Sequence, residues 1–469
     1  MFVMHVALGG CLRAPPVRFG ITEDTGGHIT YVLGAARAMA ARADVSRVEV
    51  VTRLFHDSSL GAVHAAPRET GEGYGIVRVP TRSRGYLSKE ALADEVEDFT
   101  AALIDHIGRL DRVPDVIHAH FADAAQVALA IRARFGCRVV YTPHSLAADK
   151  VGADDPGPRL RSRLALERMA LARSDLVVVS SRDEAERQVG AYGVVPKRVH
   201  RLTPGVEMGQ ADEDAARSLL SPFLRDLTRP LILAVARPVR KKNLPALLDA
   251  YAASPALRER ANLAIVAGLR DGPDSGEAEQ REVIGALLAG MDRHDLYGRL
   301  ALPRRHDAAH VPGLYEVAAR TGGLFVNPAL AEPFGLTLIE AAAAGLPVVA
   351  TGIGGPVDIV GDLANGLLVD PNDEHALGSA MLRLLQDRAL WSRASRNGRR
   401  GVANYSWDAY AAGFVQAVRD WRPDAGKVRA ALTRRVGTGV RSPAYRIPTE
   451  GARTGTERDF AGRREETGS

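Results

Sequence analysis

Residues 327–351 read NPALAEPFGLTLIEAAAAGLPVVAT. A short apolar run ends at Asn327, a loop carries Glu332, a glycine stands at 335, and an alanine- and leucine-rich stretch runs through Glu340. A second apolar run follows from Pro347 to Thr351. The order is strand, loop, helix, strand. Two strands joined through a helix run parallel in one sheet, because only an antiparallel pair can close with a tight turn. The alternation extends in both directions, with further strands expected at 366–369, 263–267 and 230–236. The first half repeats it, with strands at 3–8, 48–52, 76–79, 116–118, 138–142 and 176–180 and helical stretches at 31–41, 90–107 and 124–134. The expected fold is therefore α/β, two Rossmann-like, doubly wound lobes facing each other across a central cleft.

The pattern breaks at Leu202-Thr203-Pro204-Gly205, and a polar stretch at 209–214 follows. The expected lobes are residues 1–206 and 207–406. Residues 407–422 have apolar side chains at helical spacing and either close the second lobe or cross back to brace the first. Residues 423–469 are rich in Arg, Gly, Thr and Pro, with hardly any large apolar side chain, and are expected to form a disordered tail.

The formal charge of the 469 residues is +5, which on its face suggests a nucleic-acid partner. Its location argues otherwise: the tail holds ten Lys/Arg against six Asp/Glu, so the rest of the chain carries only +1. No window reaches ~18 apolar residues without a charge, so no membrane-spanning helix is expected. The opening Met1-Phe2-Val3-Met4-His5-Val6-Ala7-Leu8 reads as a first strand rather than a basic leader, which predicts a cytoplasmic protein. Two cysteines, Cys11 and Cys137, are too few for a disulfide framework or a zinc site.

Three stretches carry chemistry. Asp24-Thr25-Gly26-Gly27-His28 precedes an apolar-periodic helix, where glycines let a ligand approach the backbone and unpaired N–H groups attract an anion. Arg237-Pro238-Val239-Arg240-Lys241-Lys242-Asn243 follows the first strand of the second lobe. Ligands of open α/β sheets bind at the carboxyl ends of strands, and fixed cations there suit a diphosphate. The third is the opening stretch. A helix beginning near Gly335 aims N–H groups at phosphate, Glu332 in the loop can reach sugar hydroxyls, and Glu340, one turn in, can reach a ribose. A carboxylate accepts hydrogen bonds from a vicinal diol well. An Asp-x-Asp occurs at Asp212-Glu213-Asp214, but it precedes a helix and reads as a dipole-favoured helix start. No metal and no bound cofactor are expected.

With these residues in place, the chain resembles the retaining family 4 glycosyltransferases of GT-B fold, and among them the sucrose-phosphate synthase branch. The resemblance covers roughly residues 20 to 415. The family's two glutamates with seven residues between them match Glu332 and Glu340, and its arginine followed five residues on by a lysine matches Arg237 and Lys242. Long matches also run through Gly354-Gly355-Pro356-Val357-Asp358-Ile359, Asn365-Gly366-Leu367-Leu368-Val369-Asp370-Pro371 and Asp295-Leu296-Tyr297-Gly298. Thr142-Pro143-His144-Ser145-Leu146 is similar to the segment whose histidine contacts the donor sugar.

The resemblance implies a catalytic set of His144, Arg237, Lys242 and Glu332. It implies donor contacts from Gly27, Arg237, Lys242, Phe334, Gly335, Leu336, Thr337 and Glu340. Gly26, Gly27 and His28 would face the acceptor, with His28 standing where the family usually has glutamine. Sucrose synthases carry phenylalanine where the phosphate-accepting enzymes carry arginine, and here Ser180-Ser181-Arg182-Asp183-Glu184 supplies the arginine. Lys89 and Lys150 match phosphate-contacting lysines. The implied reaction moves glucose from UDP-glucose to fructose 6-phosphate, giving sucrose 6-phosphate, without metal. A relative using another donor or acceptor is the alternative. A non-catalytic two-lobed sugar-binding protein is a weaker one, and a nicotinamide-dependent oxidoreductase lacks its glycine fingerprint. The expected partners are small molecules only, and the oligomeric state is left open.

Overall fold

In the computed structural model the apolar runs of the first half become one sheet; residues 1–22, 24–150, 157–206, 209–268, 270–307 and 310–420 are described. Its strands are β1 (Phe2–Val6), β2 (Arg47–Arg53), β3 (Arg68–Thr70), β4 (Gly75–Val79), β5 (Val116–His120), β6 (Arg138–Thr142), β7 (Leu176–Val179) and β8 (Val199–Arg201). They lie in the order β3-β4-β2-β1-β5-β6-β7-β8, all parallel except the β3–β4 edge pair. The order reverses beside β1, which opens a crevice at the carboxyl ends of β1 and β5.

A second sheet holds β9 (Leu231–Val235), β10 (Asn262–Val266), β11 (Leu300–Ala301), β12 (Leu324–Asn327), β13 (Val348–Thr351) and β14 (Gly366–Val369), in the order β11-β10-β9-β12-β13-β14. It too reverses at its first strand, between β9 and β12. The stretch 327–351 is the β12–helix–β13 unit, and its two strands pair in parallel with Phe325 opposite Val348.

Both sheets are covered on both faces, so their central strands are buried from end to end. In β1, Phe2, Met4 and Val6 enter one core, while Val3, and Ala7 just past the strand, enter the other. The second core also takes the Gly27–Ala40 helix and the Trp407–Arg419 helix. The latter therefore packs on the first sheet, with Trp407, Tyr410 and Phe414 buried there. A Cβ on Gly34 would stand 2.3 Å from the Trp407 ring, so the Gly27–Ala40 helix has a glycine where the indole crosses it. Residues 1–419 form one unit. The tail, 423–469, and the last two residues of the expected 407–422 segment lie outside the described residues.

Candidate active site

The carboxyl ends of both sheets line a single cavity of about 1040 Å³. From the first half it takes Gly26, Gly27, His28, Lys89 and His144; from the second it takes Arg237, Lys242, Glu332, Phe334, Gly335, Leu336, Thr337 and Glu340. The halves meet closely here. A Cβ on Gly26 would lie 3.5 Å from the Arg237 Nε, and one on Gly27 would lie 3.6 Å from Leu336. A side chain at Gly26 would fill the space beside the Arg237 guanidinium, and one at Gly27 the space beside Leu336.

Lys242 ends the short 3₁₀ turn Arg240–Lys242 that follows β9. Its ammonium pairs with the Glu332 carboxylate, which also accepts a hydrogen bond of 3.2 Å from the Asn327 amide. Burial pushes the Glu332 carboxyl up, but Lys242, Asn327 and Lys241 together outweigh it and hold the group below the usual carboxylate value. Gly335 caps the Leu336–Ala343 helix at φ +103°, a conformation side chains rarely take, which lets the chain turn from the Glu332 loop into the helix. One turn in, Glu340 accepts 2.9 Å from the Tyr315 hydroxyl. Burial raises its carboxyl above the usual value, with only that hydrogen bond opposing.

Opposite these groups, Asp24 anchors the loop after β1 by accepting from the Gly10 N–H at 2.9 Å and from the Thr22 hydroxyl at 2.7 Å. His28 follows on the helix start, and burial, then Lys89, lowers its pKa to about 4. Lys89 Nζ lies 3.9 Å above the Phe121 ring. His144, just past β6, sits at φ +58°, rare for a residue with a side chain. Its ring is 4.7 Å from that of Tyr31, and burial drives its pKa well below the ordinary value.

One of the expected acceptor cations does not join this group. Arg182 is absent from the cavity lining; its backbone N–H donates to Asp358 Oδ2 at 2.5 Å, and its guanidinium lies 3.7 Å from the same carboxylate. Asp358 sits on the Gly355–Leu363 helix of the second half, and Arg201 reaches it as well, at 3.4 Å. The Lys150 side chain lies outside the described residues. The cavity also holds residues that local pattern did not single out, including Asp123, Arg163 and Tyr315. It also did not suggest that His5, His118 and His120 gather behind His144, their ring nitrogens within 4.8 Å of one another.

Residues 26–205 match the family model described as a glycosyl transferase 4-like domain, and residues 220–401 match that of the glycosyl transferases group 1. With two sheets whose carboxyl ends share one cleft, the chain belongs to the glycosyltransferases of GT-B fold. Within that class it is similar to sucrose-phosphate synthases. It is 34% identical, over an alignment 506 positions long, to the one from Zea mays, covering 90% of this chain and 47% of the maize protein. The chain thus spans about half the length of the curated relatives it matches. The solved sucrose-phosphate synthase of Thermosynechococcus elongatus superposes with a TM-score of 0.74 at 26% identity, over 92% of this chain and 99% of that one. The Anabaena HepE protein, solved in complex with UDP-glucose, shares the fold at a TM-score of 0.65 and 15% identity, over 90% of this chain and 100% of that one. No helix among the described residues is long and apolar enough to cross a membrane.

Proposed function

We propose that the protein is a retaining glycosyltransferase that moves glucose from UDP-glucose to fructose 6-phosphate, giving sucrose 6-phosphate and UDP. The observation that carries the reading is the convergence of Arg237, Lys242 and the helix start at Gly335 around Glu332, in a chain similar to sucrose-phosphate synthases over nine-tenths of its length. The bond from the anomeric carbon to the β-phosphate oxygen breaks, and its electron pair leaves with UDP. The fructose 2-hydroxyl oxygen forms the new bond on the same face, and its proton passes to the departing phosphate.

Arg237, Lys242 and the N–H groups at Leu336 and Thr337 stabilise the charge that grows on the diphosphate. These fixed positive groups do the work a metal would do elsewhere, so the reading includes no metal and no bound cofactor. Glu332, held ionised by Lys242, accepts from sugar hydroxyls, and Glu340 accepts from the ribose diol. His144 contacts the donor sugar. Phe334 and Gly335 shape the nucleotide side, and Gly26, Gly27 and His28 face the acceptor. Lys89, with Lys150 and Arg182, is assigned to the acceptor phosphate. The reading includes a cytoplasmic enzyme, where its donor is made.

A transferase acting on a different acceptor is the second reading, favoured by Arg182 standing off the cavity against Asp358. A panel of nucleoside-diphosphate glucoses against fructose 6-phosphate, fructose and glucose 6-phosphate, with the product identified, separates the two. The proposal requires sucrose 6-phosphate from the UDP-glucose and fructose 6-phosphate pair at the highest kcat/KM. A different best pair would overturn it.

A further inference from the structure

Behind His144 the first sheet carries three more imidazoles on one face. The register sets His5 of β1 beside His118 of β5, and His120 beside Thr142 of β6. Alternation along the strands then turns all of them toward the Gly27–Ala40 and Trp407–Arg419 helices. His5, His118 and His120 are fully buried, and burial keeps each far below its ordinary pKa, hence uncharged.

The contacts form a chain that ends in the cleft. His5 Nδ1 lies 3.1 Å from His120 Nε2, and His120 Nδ1 lies 2.8 Å from His144 Nε2. His118 stands beside the chain, with its Nε2 2.8 Å from the Thr142 hydroxyl. A metal ion is the competing occupant of the three-histidine group. Among the described residues no carboxylate belongs to that group, so a divalent cation would be buried without a counter-charge. The two separations along the chain are those of hydrogen bonds.

A neutral imidazole has one N–H and one lone pair, so the direction of one bond sets the direction of the next. If the protons point from His144 toward His5, the chain ends in a buried His5 Nε2–H, and that nitrogen has no partner. If they point from His5 toward His144, it ends in an unused lone pair at the same atom. Buried N–H groups without an acceptor are the rarer of the two in folded proteins. The protons therefore point outward, His144 Nε2 accepts, and its own proton sits on Nδ1. We propose that His120, held by His5, is a positioning residue that fixes His144 as the Nδ1–H tautomer and so presents a hydrogen-bond donor to the sugar in the cleft. The inference rests on the reading of His144 as a sugar contact, but its first test does not.

That test is the tautomer of His144 in the full chain, read from nitrogen–proton correlations of ¹⁵N-histidine-labelled protein and assigned by loss of the signal in His144→Asn. The Nδ1–H form is expected, and an Nε2–H form would overturn the proposal. Two variants at the middle ring complete it, with melting temperatures confirming that each is folded. His120→Gln reaches toward His5 but leaves His144 Nε2 without its donor, whereas the shorter His120→Asn places an amide where Nδ1 stood. His120→Gln should scramble the tautomer and cut kcat ~10-fold or more, as losing the group that sets a catalytic imidazole's tautomer does, and His120→Asn should recover most of both. Equal behaviour of the two variants would count against positioning. Wild-type kcat in His144→Asn would remove the sugar contact and leave the tautomer result standing on its own.

Discussion

Lys242 and Glu332 are each surrounded by protein, with side chains 17% and 11% exposed, and each is the other's compensating charge. Removing either leaves a poorly solvated ion. Lys242→Ala and Arg237→Ala should each lower turnover by ~10²-fold, the usual loss when a donor to developing charge is removed. Because Lys242 also holds Glu332 ionised, the Lys242→Ala, Glu332→Gln double variant should be far less impaired than the product of the two single effects. A cycle of kcat measurements in which the effects multiply would show that the two act independently. Glu340 behaves differently: it is held by Tyr315 and, in the proposed reaction, accepts from the ribose, so Glu340→Ala should weaken the binding of free UDP by calorimetry, roughly 10-fold, with one charge-assisted hydrogen bond lost. Unchanged UDP affinity would remove Glu340 from the ribose. At this scale the sequence supplied residue types and spacings. It did not supply Tyr315 or the partnership of His120 with His144, because those contacts join elements far apart in the chain and leave no local pattern.

The element that decides acid stability is the β1–β5–β6 face with its histidines. His5 has a pKa lowered to about 3 and His28 to about 4, with His118, His120 and His144 well below the ordinary value. Their folded values lie below the unfolded value of ~6.5, so below that pH the unfolded chain binds more protons than the native one. Stability is therefore intact above ~6.5 and falls as pH drops, by up to about 1.4 kcal/mol per pH unit for each histidine. The melting temperature should fall steeply from pH 6.5 to 5, and His5→Leu should make that fall shallower. A flat profile would mean that these rings are not held neutral.

The Trp407–Arg419 helix is the other decisive element: Trp407→Ala, which empties a site pressed against Gly34, should cost ~3–5 kcal/mol by denaturant unfolding. The apolar strands β6 and β14 stand where their sequences place them, to the residue. The strands β3, β8 and β11 were not foreseen. They are two or three residues long and lie at sheet edges, RET and VHR with both ends exposed, so pairing with a neighbour rather than their own pattern makes them strands. The 90–107 stretch divides into a 3₁₀ segment, Lys89–Glu95, and the helix Val96–Gly108, which places Lys89 at the cleft end of its element.

Across the whole molecule, the two halves share the cavity and are also joined outside its lining, where Asp358 draws Arg182 and Arg201 from the first half. With Arg182 61% exposed, that pair contributes at most ~1 kcal/mol, little enough for a bound dianion to take the guanidinium away. On that account Arg182→Phe should lower the preference for a phosphorylated acceptor by ~10-fold or more while leaving UDP affinity unchanged. The proposed acceptor site centres on a phosphate bound beside Lys89. The measurement that meets it most directly is the ratio of kcat/KM for fructose 6-phosphate to that for fructose, with UDP-glucose as donor and wild-type protein. A phosphate dianion adds charge-assisted hydrogen bonds that the free sugar lacks, so the ratio should exceed ~10³. A ratio near one would mean that no phosphate site exists in the cleft, and the assignment of the acceptor would fall with it.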